Sequence, residues 1–177
     1  MNNVAYIGIG SNVGVQINKI DFAVELINES PYCEVTAVSS IYESLPYGQI
    51  EQEDFFNAVI EIKTYFEPKD LFHFLKSIEK RVGRKLAEKW GPREIDLDIL
   101  FYDDLIYSDE DIKIPHKDML NRDFVVVPLI EIAPDLIHPE LHKKISEISI
   151  FQTKVDEPLT QIKKTYIIRK IPHKVLV

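Results

Sequence analysis

The chain has 177 residues, of which 45% are hydrophobic and 28% charged, with a formal net charge of −8 at pH 7. This length and composition are typical of one globular domain with a substantial core. The acidic balance argues against broad binding to nucleic acid or anionic membranes. A lone cysteine, Cys33, excludes an internal disulfide, and CxxC metal motifs are absent. No apolar run reaches the length of a signal core or a membrane span, so we expect a cytoplasmic protein. We also expect a monomer.

Hydrophobic periodicity predicts that the first part of the chain forms a strand, a helix and two successive strands. Residues 4–11 are typical of a buried strand, and residues 14–29 repeat apolar side chains at helical spacing before Pro31. Residues 35–42 and 55–65 alternate apolar and polar side chains, which predicts two more strands.

The second part adds a helix, a strand and a mixed tail. Pro68 suits the first position of a helix, and an apolar strand with two aspartates follows that helix. Asp103 and Asp104 predict a turn into a short strand at residues 105–107. A further helix should begin near Arg122, which Pro128 would end or kink, and residues 166–171 are compatible with a strand. The order β-α-β-β-α-β predicts an α+β fold, a ferredoxin-like antiparallel sheet with helices packed on it.

The segment IDLDILF at residues 95–101 places two carboxylates within a strongly apolar strand. Alternation puts Ile95, Leu97, Ile99 and Phe101 on one face and Asp96 and Asp98 on the other, with their α-carbons about 6.6 Å apart. Two such carboxylates suit Mg²⁺, whose remaining ligands are waters and substrate phosphates. The alternative is a solvated strand face whose aspartates pair with Arg93 or a lysine.

Positive charge flanks this strand on both sides. One basic cluster lies between Lys80 and Arg93, and a second follows the strand at His116, Lys117 and Arg122. Each cluster alone is compatible with a solvated surface, but two clusters around an acid pair favour a polyanionic ligand held through metal. The turn Trp90-Gly91-Pro92-Arg93 also ends in an arginine, whose planar fork matches phosphate oxygens.

The glycine-rich segment GIGSNVG at residues 8–14 does not indicate a dinucleotide-binding fold. Val13 occupies the third glycine position of the G-x-G-x-x-G motif, and two strands follow one another without an intervening helix. The segment is compatible with a strand-to-helix turn at which the backbone approaches a ligand.

The segment KWGPREIDLDIL, residues 89–100, resembles the signature of the 6-hydroxymethyl-7,8-dihydropterin pyrophosphokinase family of folate biosynthesis. Further similarities are AYIGIGSN at 5–12, FFNAVIEI at 55–62, IPHKDMLNRDF at 114–124 and the PLIEIAP that follows. The resemblance covers about residues 4–150 of what we interpret as a single domain over 1–177, and the tail 151–177 has no counterpart. It implies transfer of pyrophosphate from ATP to a pterin alcohol with release of AMP.

The resemblance also implies roles for individual residues. Asp96 and Asp98 would hold two Mg²⁺ ions, and Arg84 and Arg93 would contact the phosphates and assist transfer. The residues implied in ATP binding are Glu79, Arg84, Trp90, Arg93, Ile99 through its backbone, His116 and Arg122. The residues implied in pterin binding are Gly10, Ser44, Leu45, Tyr47, Phe55, Asn57 and Phe124.

Several of these residues also have an ordinary structural interpretation. The alternative for Phe55 and Phe124 is that they are core residues. The alternative for Asn57 is an amide whose hydrogen bonds are satisfied within the protein, in the core or at the surface. Glu79 lies on the apolar stripe of its helix, which suggests a polar site or an ion pair with Arg84 or Lys85. The segment 83–90 is one residue shorter than the family pattern. Around Pro115 and His116, Asp111, Lys113 and Lys117 replace residues that the family pattern leads us to expect.

Two other functions are compatible with the same residues. A nucleotidyltransferase also combines a Gly-Ser turn with a D-x-D pair, and it would release pyrophosphate. A nucleotide- or metal-binding module would bind Mg-ATP without turnover. The glycine and basic residues of segment 83–90 favour a loop that closes over bound nucleotide, and the alternative is a rigid continuation of the preceding helix.

Overall fold

A computed structural model describes residues 3–46, 52–85, 91–148, 166–173 and 175. Its strands are β1 (Asn3–Ser11), β2 (Cys33–Val38), β3 (Ile41–Ser44), β4 (Phe55–Thr64), β5 (Asp96–Tyr102), β6 (Tyr107–Ser108), β7 (Lys113–Ile114), β8 (Ile137–His138), β9 (Lys143–Lys144) and β10 (Ile167–Ile171). Its helices are α1 (Gln16–Asn28), α2 (Pro68–Val82), α3 (Asp123–Ile132) and α4 (Ile145–Ile148), and a 3-10 turn covers Met119–Asn121. Apart from the strand predicted for residues 35–42, the predicted elements are therefore present with small shifts of their ends.

The main sheet is antiparallel and has the order β10-β3-β4-β1-β5, with β2 also paired to β4. Because β2 and β3 run in the same direction along β4, they act as one interrupted strand. If this interrupted strand counts as the second strand, β4 as the third and β5 as the fourth, the order across the sheet is 4-1-3-2. That order confirms the ferredoxin-like prediction. The interruption corrects the single strand predicted for residues 35–42. It lies at Ser39, whose backbone N–H donates to the Val59 carbonyl (2.9 Å) and whose hydroxyl accepts from the Val59 N–H (2.9 Å).

The two faces of the sheet carry different partners. One face forms a continuous apolar core with α1 and α2, in which Ile7, Ile60 and Leu97 are at most 1% exposed. A second, smaller core lies with α3 and includes Val59, Leu100 and Leu129. The part of this second face that α3 does not cover holds the candidate site.

The alternation of β5 changes at one point. The register shifts so that Ile7 lies opposite Ile99 and Tyr6 opposite Phe101, which leaves Leu100 as an extra residue. Such a bulge turns consecutive side chains to one face. Phe101 therefore packs in the second core, not with Leu97 and Ile99 as strict alternation predicts.

Two helices behave differently from the alternatives considered for them. Helix α2 ends at Val82, and Gly83 has φ +105°, a left-handed conformation that favours glycine and closes a helix. The helix therefore does not continue into Arg84 and Lys85, and residues 86–90 lie outside the described part of the chain. Helix α3 continues through Pro128 to Ile132, so this proline does not end it.

Part of the tail joins the main sheet. β10 pairs with β3, with Ile171 opposite Ile41 and Ile167 opposite Ser44, so that it forms the edge next to β3. Beyond it, Val175 is only 4% exposed and packs into the larger core. Within the described ranges, no helix has the length and the apolar composition that crossing a membrane requires.

Candidate active site

A row of small and polar residues crosses four strands on the face that α3 leaves open. Gly8 lies opposite Asp98, and Gly10 lies between Asp96 on β5 and Asn57 on β4. Asn57 in turn lies opposite Tyr42, two residues before Ser44 on β3. Cross-strand partners point to the same side of a sheet, so the sheet order brings these residues together.

These residues form the floor of a cavity of about 320 Å³, which α3 and the segment before it close on one side. Eleven of the residues that the sequence and the family resemblance indicated line it: Gly10, Ser44, Leu45, Phe55, Asn57, Arg93, Asp96, Asp98, His116, Arg122 and Phe124. Three others, Glu79, Arg84 and Ile99, lie outside the lining, and Tyr47 and Trp90 lie outside the described residues.

Asp96 is held by cations. Its carboxylate forms ion pairs with Arg93 and, at 2.8 Å, with Arg84, and Lys76 Nζ lies 3.9 Å away. Burial opposes ionisation of Asp96, but Arg93, Lys76 and Arg84 hold the pKa of this carboxyl below its usual value. Asp96 is therefore a carboxylate at neutral pH.

Asp98 is the more open member of the pair. Its side chain is 40% exposed, and its carboxylate lies 3.8 Å from Lys76 Nζ. Lys76 also donates to the Leu97 carbonyl at 3.0 Å. This lysine lies close to both aspartates and was missed from the sequence. Its position three residues before Glu79 on the same helix predicts a contact with Glu79, but not the approach to the aspartates of β5.

Glu79 is buried beneath this cluster, with only 2% of its surface exposed. Its carboxylate accepts from Lys76 (2.7 Å), from the Leu97 N–H (2.8 Å) and from Arg84. Burial raises the pKa of Glu79, and the contacts with Lys76 and Leu97 oppose that rise. Of the two interpretations of Glu79, the ion pair with Arg84 is the one that its contacts support. Glu79 therefore acts on the site through Arg84.

Asn57 has the environment of a recognition residue. It is 6% exposed, and its Nδ2 donates to Ser44 Oγ at 2.9 Å. A β-carbon at position 10 would lie 3.3 Å from Asn57 Oδ1 and 3.8 Å from the Phe55 ring. Gly10 therefore provides the close approach of β1 to the polar edge of Asn57.

The turn that carries Arg93 is fixed by Asn12. The Asn12 side chain accepts from the Arg93 N–H at 2.7 Å, and the Asn12 N–H donates to the Arg93 carbonyl at 3.0 Å. Its Nδ2 donates to Gln52 at 3.0 Å, so one buried amide joins the arginine turn to a further part of the cavity wall. Asn12 and Gln52 were not among the predicted site residues.

The opposite wall consists of residues before and within α3. The backbone N–H of His116 donates to the Leu100 carbonyl at 3.0 Å, which fixes the position of this residue. Burial lowers the pKa of its imidazole. Arg122 lies 3.7 Å from Asp118, and Phe124 follows on the first turn of α3. The cavity thus joins a carboxylate pair, cationic side chains and two aromatic rings.

The family model of 7,8-dihydro-6-hydroxymethylpterin-pyrophosphokinase (HPPK) matches residues 6–134, well over half of the chain. The chain belongs to the HPPK family. All of the cavity residues named above lie within the matched range.

Curated relatives and solved structures agree with this assignment. A protein of Aquifex aeolicus named 2-amino-4-hydroxy-6-hydroxymethyldihydropteridine pyrophosphokinase is 44% identical over 142 residues, 80% of this chain and 88% of the relative. A protein of the same name from Haemophilus influenzae is 42% identical over 135 residues, 76% and 84% of the two chains. The crystal structure of Plasmodium falciparum HPPK-DHPS with pteroate has a TM-score of 0.68 at 15% identity. That match covers 83% of this chain and 44% of the longer one, and it supports the fold.

Proposed function

We propose that this chain transfers pyrophosphate from ATP to the hydroxymethyl group of 6-hydroxymethyl-7,8-dihydropterin, releases AMP, and acts in folate biosynthesis. The observation that carries the proposal is the placement of Asp96 and Asp98 on the floor of one cavity beside Arg93. The family membership of the chain and the names of its relatives point to the same reaction.

The donor set fits Mg²⁺. Among the described residues, no group of three or more His, Cys, Asp or Glu side chains converges on a point. Mg²⁺ in phosphoryl-transfer sites needs only one or two carboxylates, because waters and phosphate oxygens complete its shell. We infer that Asp96 and Asp98 hold two ions, which when bound neutralise phosphate charge and polarise the reacting groups.

Arg84 and Arg93 would serve the triphosphate. Both guanidinium groups now contact Asp96. If Asp96 held a metal ion, these two guanidinium groups would be available to donate to phosphate oxygens, whose geometry suits a planar donor fork. We assign the remaining nucleotide contacts to Trp90, His116, Arg122 and the backbone at Ile99, and Glu79 supports the nucleotide site through its ion pair with Arg84.

The pterin would lie over the polar and aromatic part of the cavity. Phe55 and Phe124 provide ring faces, and Asn57 provides both a donor and an acceptor. Ser44, Leu45, Tyr47 and Gly10 complete the set that we assign to the pterin.

The reaction requires positioning more than covalent chemistry from the protein. The pterin hydroxyl oxygen forms a bond to the β-phosphorus of ATP, and the bond from that phosphorus to the α-phosphate oxygen breaks. The hydroxyl proton is released, and AMP leaves with the electron pair of the broken bond. The protein contributes orientation of the two substrates and charge stabilisation by Arg84 and Arg93.

The decisive experiment incubates the protein with Mg-ATP and the pterin alcohol and separates the products. AMP and the pterin diphosphate ester are expected in equal amounts. Release of pyrophosphate with a nucleotidyl product would identify a nucleotidyltransferase, and binding of Mg-ATP without product would identify a binding module; either result contradicts the proposal.

A further inference from the structure

The strand β10 lies beyond the residues that the HPPK model matches, yet it lies directly beside the cavity. The matched range ends at residue 134, whereas β10 covers Ile167–Ile171. It pairs with β3, whose last residue, Ser44, lines the cavity together with Leu45. A segment outside the shared family range is therefore next to the wall that we assign to the pterin.

Tyr166 joins this segment to the cavity wall in two ways. Its carbonyl accepts from the Leu45 N–H at 2.9 Å. Its ring meets the Phe124 ring edge to face, with centroids 6.0 Å apart and an interplanar angle of 87°. This geometry is favourable for an aromatic pair. Both partners, Leu45 and Phe124, line the cavity.

A buried carboxylate secures the contact. Asp123 is 1% exposed and accepts from the backbone N–H groups of Tyr166 (2.7 Å) and Ile167 (2.8 Å) through Oδ2. Its Oδ1 accepts from the Phe124 N–H at 2.9 Å. Hydrogen bonds to a buried carboxylate are strong, so the start of α3 and the start of β10 are held to one another.

The other end of the segment is anchored to the body of the protein. Lys170 lies 3.1 Å from Glu131 on α3, and His173 Nε2 lies 3.0 Å from the Asp21 carboxylate on α1. With Val175 in the core, the segment is fixed on both sides of β10. Tyr166 is therefore presented to Phe124 by a supported strand.

We propose that Tyr166 is a positioning residue for pterin binding, which holds the Phe124 ring and the backbone at Leu45 in the geometry that the pterin ring requires. The inference rests on the proposed function, because it assigns this wall to the pterin. The ring of Tyr166 acts through Phe124, and the Asp123 carboxylate fixes the backbone from which that ring projects.

The test compares three variants of the full chain. Tyr166→Ala removes the ring, Tyr166→Phe keeps it, and Ile168→Ala changes a 49% exposed side chain on the same strand. In Tyr166→Ala the KM for the pterin should rise about three- to tenfold, the range expected for loss of an aromatic pair. The KM for ATP should change less than about twofold, since Leu45 and Phe124, the two cavity residues that Tyr166 contacts, both lie on the wall assigned to the pterin. Tyr166→Phe and Ile168→Ala should match the wild type.

If Tyr166 had a merely structural role, Tyr166→Ala would lower the melting temperature and the amount of active enzyme without changing the pterin KM. An unchanged pterin KM in Tyr166→Ala, equal changes for both substrates, or failure of Tyr166→Phe to restore the value would each overturn the inference. If Tyr166→Ala does not fold, Tyr166→Leu is measured by the same criteria. A wild-type protein that forms no AMP contradicts the proposed function, whereas normal turnover with an unchanged variant KM contradicts only this inference.

Discussion

The two aspartates of β5 differ in their surroundings, and this difference allows a sharp test of the metal assignment. Asp98 is 40% exposed, and its carboxylate forms an ion pair with Lys76 at 3.8 Å. An exposed pair of this kind contributes at most about 1 kcal/mol to the free energy of unfolding. Asp98→Ala should therefore leave that free energy within about 1 kcal/mol of the wild type, as measured by urea unfolding.

Asp96→Ala should be more costly to the fold. It removes the carboxylate that accepts from Arg93 and Arg84, both of which are 25% exposed. Hydrogen bonds to charged groups contribute about 1.5–3 kcal/mol each when buried. In the variant, water in the open cavity can hydrogen-bond to the two arginines and so offsets part of this loss. We expect a loss of about 1–3 kcal/mol, which leaves the protein folded at 25 °C.

Turnover should respond differently from stability. If both carboxylates hold Mg²⁺, either substitution removes several kcal/mol of charge stabilisation from the transition state. A loss of about 3 kcal/mol corresponds to a decrease of about 100-fold in turnover. AMP release at saturating Mg-ATP and pterin alcohol measures this, and we expect at least that decrease in both variants.

The matched control is Asp104→Ala, an exposed aspartate in the turn that follows β5. It should keep the turnover of the wild type. Binding of Mn²⁺ in the presence of a non-hydrolysable ATP analogue, followed by electron paramagnetic resonance, should weaken in the Asp96 and Asp98 variants alone. Turnover of Asp98→Ala within threefold of the wild type would refute the metal assignment, because a solvated strand face predicts that result.

Three further predictions concern the surroundings of the pair. Phe124→Ala should raise the Kd of the pterin about tenfold and leave that of an ATP analogue nearly unchanged in titration calorimetry; equal loss of both ligands, or unfolding, would make Phe124 a core residue. Arg84→Ala should lower turnover about 100-fold while the Kd of the ATP analogue changes less than about threefold, because the phosphate contact requires departure from Asp96; a parallel loss of binding would contradict this. Burial lowers the pKa of His138, whose Nδ1 accepts from the Glu140 N–H at 3.2 Å. The unfolded chain therefore binds more protons below pH about 6.5, and the free energy of unfolding should decrease as the pH falls through that value. This decrease should be shallower in His138→Gln, and an unchanged slope would exclude His138 as its source.

Most of the predicted site residues came from the family resemblance, whereas side-chain alternation predicted the acid pair. Alternation is a local property of an extended chain, so the sequence alone places Asp96 and Asp98 on one face of β5. The same reasoning failed at Phe101, because the bulge at Leu100 arises from pairing with β1, a strand about 90 residues away. Lys76 was missed for a similar reason, since its contacts cross from α2 to β5.

By itself, the sequence determined the order of the elements, the acid pair, the basic residues around it and the family resemblance. These depend on spacing within short segments, where the geometry of a helix or strand decides which side chains share a face. The tertiary structure decided which distant residues meet: Arg84 and Arg93 on one carboxylate, Asn12 on the arginine turn, and the tail against Phe124. Those contacts depend on strand order and register, and strands that are far apart in sequence become neighbours only when the sheet has formed.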